Sequence, residues 1–291
     1  MIPLPRALVL ALGFYFGIPV VQISGTLQGQ TAPTDSILAI AHTLFTEASI
    51  LANQGHQDEA ESKFQRVLDI REKALGLDHP DVALALHNLG FIYNAQGRYA
   101  EAEPLLRRAL IIREAALGPQ HLEVALTLNS LAFTYGVRSR YEEAEPLYER
   151  ALAIDEIVLG PNHLEVAHVL SNLGMLYDDL DRYIEARSVY ERVLAIRETV
   201  LGLGHPDVAD ALINLASLYH HQELYAEAIP LYRRSLDIRK VEFGPEHSDT
   251  GLALENLILA CELFFALPYI AQEQQSITAP ESMTVLCRPS P

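Results

Sequence analysis

Residues 80–121 read PDVALALHNLGFIYNAQGRYAEAEPLLRRALIIREAALGPQH, and a shift of 42 residues lays the stretch over its own continuation. Leu89, Leu131, Leu173, Leu215 and Leu257 form one column of this register. Tyr93, Tyr135, Tyr177 and Tyr219 form a second, and Tyr99, Tyr141, Tyr183 and Tyr225 a third. Gly76, Gly118, Gly160, Gly202 and Gly244 align, as do His79, His121, His163, His205 and His247. A fixed period of roughly 20–50 residues marks a stacked repeat architecture, in which each unit touches only its neighbours.

Within one period the apolar residues recur at steps of three and four. Val82, Leu86, Leu89, Gly90 and Tyr93 make one stripe, and Ala102, Leu105, Leu106, Ala109 and Leu110 the next. Two helices per period follow: helix A over about 80–96 and helix B over about 99–117, joined by a tight turn at Gly97, Ser139 or Asp181. The glycine column stands where helix B must stop, which predicts a left-handed glycine cap. The histidine column stands immediately before helix A, which predicts capping or turn packing. Pro80 and Pro206 suit the first helical position. Asp81, Glu123, Glu165, Asp207 and Asp249 complement the positive end of each helix dipole. Pro104, Pro146 and Pro230 inside helix B read as a curvature device.

The register yields five units, about 36–78, 79–120, 121–162, 163–204 and 205–246, and a capping helix over about 248–266. The first unit is degenerate, with Glu47 in the leucine column. Residues 1–35 lie outside the repeat. Ala7 to Ile23 is apolar and follows Arg6, the layout of a secretory signal peptide. A retained membrane anchor and a packed cap are the alternatives, so the expected location is exported, with membrane-anchored or cytoplasmic as the alternative. Residues 268–291 are polar and proline-bearing and read as a disordered tail. Cys261 reads as a core residue and Cys287 as a free tail thiol, since two cysteines make no metal or disulfide pattern. A formal charge of −17 argues against nucleic-acid and anionic-lipid partners.

Asn88-Leu89-Gly90, Tyr93, Gly97, Tyr99, Ala102, Ala109 and Leu110 resemble the tetratricopeptide repeat, in its 42-residue, kinesin-light-chain-like form. The resemblance implies an all-α, right-handed superhelical solenoid whose helices A line a concave groove that binds extended peptides or proteins. Carried over position by position, the groove has a polar ladder of Asn88, Ser130, Asn172, Asn214 and Asn256. Such amides would bond either a peptide main chain or a neighbouring helix. Leu84, Phe91, Leu126 and Phe133 make the early groove positions apolar, although Leu84 and Phe91 would alternatively pack against the next helix A. His168, Asp178, Asp179, Asp210, His220 and His221 make the later ones acidic and histidine-bearing. An apolar segment followed by a basic one would suit these positions.

No catalytic set emerges. Stacked helices stand about 10 Å apart and metal ligands about 2 Å from their ion, so successive column histidines cannot share a metal. Asp178 and His220 are equivalent positions of adjacent units and could approach. The residues contain no Gly-rich phosphate loop, HExxH or GxSxG. The expectation is a non-catalytic scaffold without cofactor or small-molecule substrate. It holds an unidentified peptide or protein in the groove, or alternatively assembles through its ends or convex face with the groove self-occupied.

Overall fold

A computed structural model describes residues 33–267 and 280–287, and all regular structure among them is helical. The chain divides into two compact units at the end of the sixth helix. The first holds α1 (Pro33–Asn53), α2 (Gln57–Leu75), α3 (Pro80–Ala95), α4 (Tyr99–Leu117), α5 (Leu122–Gly136) and α6 (Tyr141–Leu159). The second holds α7 (Leu164–Asp179), α8 (Tyr183–Leu201), α9 (Pro206–His221), α10 (Tyr225–Phe243), α11 (Ser248–Ala266) and α12 (Pro280–Leu286). Consecutive helices pair as the repeat requires, α3 on α4 and α9 on α10, so the chain is an all-α solenoid of helix pairs. The apolar run Ala7–Ile23 lies outside the described residues. The helix α1 is long and apolar enough to cross a membrane, yet Ala41, Ala48 and Ala52 along it are buried.

Each pair is held by the stripes read from the sequence. Val82, Ala83 and Leu86 of α3 pack with Ala109 and Ile112 of α4, and Val208, Ala209 and Leu212 of α9 pack with Ile238 of α10. Full burial of each larger aliphatic contributes roughly 1.5–3 kcal/mol.

The histidine column is an N-cap column. The N–H of Asp81, Glu123, Glu165, Asp207 and Asp249 each donates to the Nδ1 of the histidine two residues before it, at 3.1–3.2 Å. The imidazole thus takes the place of the usual Ser or Asp oxygen, accepting from one of the N–H groups that a helix start leaves unbonded. His163→Ala is expected to lower stability by about 1 kcal/mol, and His163→Asn to restore it. Denaturant midpoints of the two variants check this.

Three expectations change. The C-cap glycines adopt positive φ, but ψ is extended: Gly118 sits at φ 87°, ψ 157°, not in the left-handed helical well. The conformation is as glycine-specific as the expected one, because side-chain-bearing residues do not reach that region. Second, the expected disordered tail contains α12, whose Met283 is buried. Third, Cys287 is not a free thiol: it is disulfide-bonded to Cys261, with Cα atoms 5.9 Å apart. The two lie 26 positions apart in sequence, so no local spacing motif announces the bond.

The turns between helices A and B use the left-handed region at Gly97 and also at Ser139, Asp181 and Glu223, at φ of 57–60° for these three. A glutamate is poorly suited there. Glu223→Gly is expected to raise stability by roughly 0.5–1 kcal/mol, visible as a higher melting temperature.

Candidate functional site

The groove positions are carried by the helices A of each unit. In the first compact unit, α1 to α6, Leu84, Asn88 and Phe91 of α3 are half-buried, as are Ser130 and Phe133 of α5, while Leu126 is 43% exposed. The polar ladder does something that neither reading of it anticipates. Asn88 Nδ2 donates to Leu84 O at 2.8 Å and Ser130 Oγ to Leu126 O at 3.1 Å, so each bonds the preceding turn of its own helix. These bonds fix side-chain direction and occupy donors that a peptide would otherwise meet. The bracing between neighbouring helices A comes instead from Asn94, whose Nδ2 reaches Ser130 O at 3.4 Å and whose Oδ1 accepts from Thr134 Oγ1 at 3.0 Å. Phe133 sets its ring edge-on to Tyr99, with centroids 6.5 Å apart.

In the second unit, adjacent helices A meet through Asp178 and His221, with Oδ2 and Nδ1 2.7 Å apart. The residue opposite Asp178 is therefore His221 and not His220. Position 220 turns its ring to the edges of Tyr225 and Tyr232, with centroids 5.2 and 6.4 Å away. Burial first, and the neighbouring His221 second, hold the His220 pKa below its usual value. The other oxygen of Asp178, Oδ1, is buried with no hydrogen-bond partner among the described residues. Asp210 is ion-paired with Arg239 Nη2 at 2.6 Å, so it is engaged within the protein. His168 lies with Nδ1 3.4 Å from Glu165 Oε2. Asn172, Asn214 and Asn256 are half-buried and Asp179 is exposed. Among the described residues no group of three or more His, Cys, Asp or Glu side chains is arranged to hold a metal ion.

Sequence reasoning passed over the arginines, although they too recur every 42 residues. Arg71, Arg113, Arg197 and Arg239 are buried on helices B. Their Nη1 atoms donate to the main-chain carbonyls of Asp81, Glu123, Asp207 and Asp249, at 2.9–3.1 Å. Each ties its helix B to the first turn of the next helix A. Asp155 takes the place of arginine at the remaining position of this column. A second set, Arg98, Arg140 and Arg182, precedes helix B: the first two fork onto Glu101 and Glu143, and Arg182 Nε donates to Glu185 Oε1 at 2.9 Å. The same guanidinium groups lie over the rings of Tyr93, Tyr135 and Tyr177, 4.0–4.2 Å from the centroids. The recurring tyrosine column is therefore a stacking platform for a turn clamp.

The last helix pair lacks this clamp, because Leu224 stands where arginine is expected. Among the described residues Glu227 then has no arginine and its Oε2 is buried without a partner, and burial raises its pKa. A raised carboxyl pKa means the folded chain holds the proton more tightly than the unfolded chain. The penalty is absent below about pH 4.5, where both states are protonated, and appears as pH rises through the folded pKa. Glu227→Gln is expected to stabilise the protein at neutral pH and not at acidic pH, in paired melts at the two conditions.

The profile of the tetratricopeptide repeat matches residues 39–115, 81–156, 123–199 and 207–263. The chain belongs to the tetratricopeptide repeat family. Among solved structures, a kinesin-light-chain-like protein of Podosopora anserina with nearly identical TPR-like repeats is similar, at 25% identity and a TM-score of 0.60 over 70% of this chain and 96% of that one. BtubC (BKLC) from P. vanneervenii aligns with a TM-score of 0.57 and 19% identity over 90% of this chain and 96% of the other. The apo form of RapI aligns with a TM-score of 0.59 and 17% identity over 81% of this chain and 60% of its own. No curated protein matches the sequence. Tetratricopeptide repeats mediate protein–protein interaction, their partners are proteins, and such scaffolds are generally non-catalytic.

Proposed function

We propose that this tetratricopeptide repeat protein is an exported, non-catalytic scaffold that holds an extended protein segment against its helices A. The second unit takes a basic side chain at Asp178. The observation that carries the reading is the divided state of that carboxylate. Its Oδ2 is held by His221, and its Oδ1 is buried without a partner among the described residues, in a side chain only 14% exposed. A buried acceptor left unmet costs about 1–3 kcal/mol, which an incoming ammonium, guanidinium or main-chain N–H would recover once the carboxylate rotates to bring that oxygen to the surface. Leu84, Phe91, Leu126 and Phe133 of the first unit offer contacts for apolar side chains. Asp210, already paired with Arg239, takes no part. With one amide N–H of Asn88 and the hydroxyl proton of Ser130 engaged, Asn88 keeps its second N–H and its Oδ1 for a partner, and Ser130 keeps its oxygen as an acceptor.

Export is supported by the apolar run Ala7–Ile23 behind Arg6, and by the Cys261–Cys287 disulfide, a bond that persists in oxidising compartments. Assembly through the chain's end is a second reading, favoured by Ile258, Leu259 and Phe265 of α11, each 45–47% exposed.

A random-peptide selection against the full chain tests the first reading. Lysine- or arginine-bearing peptides should be enriched, and Asp178→Asn should weaken their binding by about 10- to 100-fold with an unchanged melt. Enrichment of peptides without a basic residue, or equal binding by the variant, would refute it. Binding lost on Ile258→Asp, Leu259→Asp but kept in Asp178→Asn would establish the end-on reading instead.

A further inference from the structure

The last repeat is rewritten at the places where α12 lies. In interior repeats the position of Cys261 is a tyrosine, and the position of Ile229 is Glu103, Glu145 or Arg187. Around Glu103 these positions form a polar cluster: it accepts from Arg138 and from Arg140 Nη1, the latter at 2.8 Å. In the terminal unit the same positions are apolar. Ile229 is fully buried, and Cys261, Phe264 and Met283 join it in one cluster, with Leu286 and Cys287 packed alongside. The start of α10 is covered as well. Ala226 is 5% exposed, whereas Ile184, its counterpart in α8, is 78% exposed. The helix α12 contacts α10, and its following residue is bonded to α11.

A helix of seven residues is too short to hold itself in water. Two things hold it: the burial of Met283 and the disulfide. We propose that residues 280–287 are a redox-releasable cap on the terminal repeat, and that Cys261–Cys287 is a thiol–disulfide exchange site that opens it. The reductant is a dithiol. Its thiolate attacks Cys287 Sγ, the more accessible sulfur, since Cys261 is 7% exposed. The S–S bond breaks, and the electron pair leaves on Cys261 Sγ, which takes up a proton. The second thiol of the reductant then displaces Cys287 as a thiol, and the reductant ends as its own disulfide. Two protein thiols and one reductant disulfide balance the step. Without the covalent link, α12 leaves and uncovers Tyr225, Ala226, Ile229 and Phe264, an apolar ledge at the end of the repeat array. The inference is independent of what the groove binds.

The test uses the full chain, oxidised and then treated with dithiothreitol. Alkylation and intact mass should count no thiol before treatment and two after. Peroxide oxidation of Met283, read by peptide mass spectrometry against Met175 as an internal control, should accelerate on reduction. Opening the 26-residue loop predicts a gain on the order of a hundred-fold in the released population, and a matching loss of amide protection across 280–286. Cys287→Ser should show the fast rates without reductant. Free thiols in the oxidised protein would overturn the proposal, as would equal Met283 rates in the two redox states. So would a Cys287→Ser chain that stays as protected as the oxidised wild type.

Discussion

Arg113→Ala is expected to lower the unfolding free energy by about 3–5 kcal/mol, and Arg113→Met by less than about 1.5 kcal/mol. Arg113 is 1% exposed, the largest fully buried side chain of the described residues. Its Nη1 donates to Glu123 O at 3.1 Å and to Thr127 Oγ1 at 2.5 Å. Its Nε lies 3.1 Å from Glu123 Oε2, close enough for an ion pair but not aligned as a hydrogen bond, and Nη2 has no partner among the described residues. Alanine removes the bonds and leaves a void between α4 and α5. Methionine keeps the volume and removes a charge whose desolvation opposes folding, an opposition also seen in the lowered Arg113 pKa. The contrast between the two variants, read as urea midpoints, separates packing from charge. Equal losses would show that the hydrogen bonds, not the volume, hold the junction.

The same arginine bears on acid stability. His87 is buried beside it, and burial first and the Arg113 charge second hold the His87 pKa well below 6.5. Below about pH 6.5 the unfolded chain binds a proton that the folded chain refuses. Stability therefore falls as pH drops below that value, by at most about 1.4 kcal/mol per pH unit from this residue, and continues falling until the folded imidazole protonates. His87→Ile should flatten the profile between pH 7 and pH 5, since Ile213 is already buried at the equivalent position of α9. Arg113→Met should flatten it in part, because desolvation remains.

Gly174→Val is expected to cost about 3 kcal/mol, and Gly174→Ala about 1 kcal/mol. A Cβ on Gly174 would lie 2.5 Å from Cε1 of Tyr190, closer than any real contact. Tyr190 is 2% exposed and cannot swing out. A single methyl is nevertheless accommodated elsewhere: Ala132 and Ala216 hold the matching position opposite Tyr148 and Tyr232, and all four are buried. The α7–α8 pair can move toward that spacing for alanine. Two further methyls exceed it. In a Tyr190→Ala background the ring is gone, and Gly174→Val should cost close to nothing. A cycle of the four proteins by thermal melting gives the coupling. Additive costs would mean that the strain lies somewhere other than this contact.

Much of this was legible from residue order alone. The period of 42, the apolar stripes, the histidines before each helix A and the glycines after each helix B are one-dimensional signals. They depend on hydrogen bonds and packing within a few residues, so spacing reveals them. The Nδ1 caps and the positive φ of the glycine column are their direct consequences, although ψ at those glycines is extended and not helical. The groove was less legible. Its apolar and acidic positions could be named, but not which atoms were still free. Asn88 and Ser130 turn to their own helix, Asp210 is taken by Arg239, and Asp178 chooses His221 over its neighbour. These outcomes follow from the direction and reach of side chains on packed helices, which a column of letters does not carry. The disulfide and α12 belong to the same class. Cys261 and Cys287 carry no spacing signal, and only the terminal repeat's apolar surface, assembled from α10 and α11, brings them together.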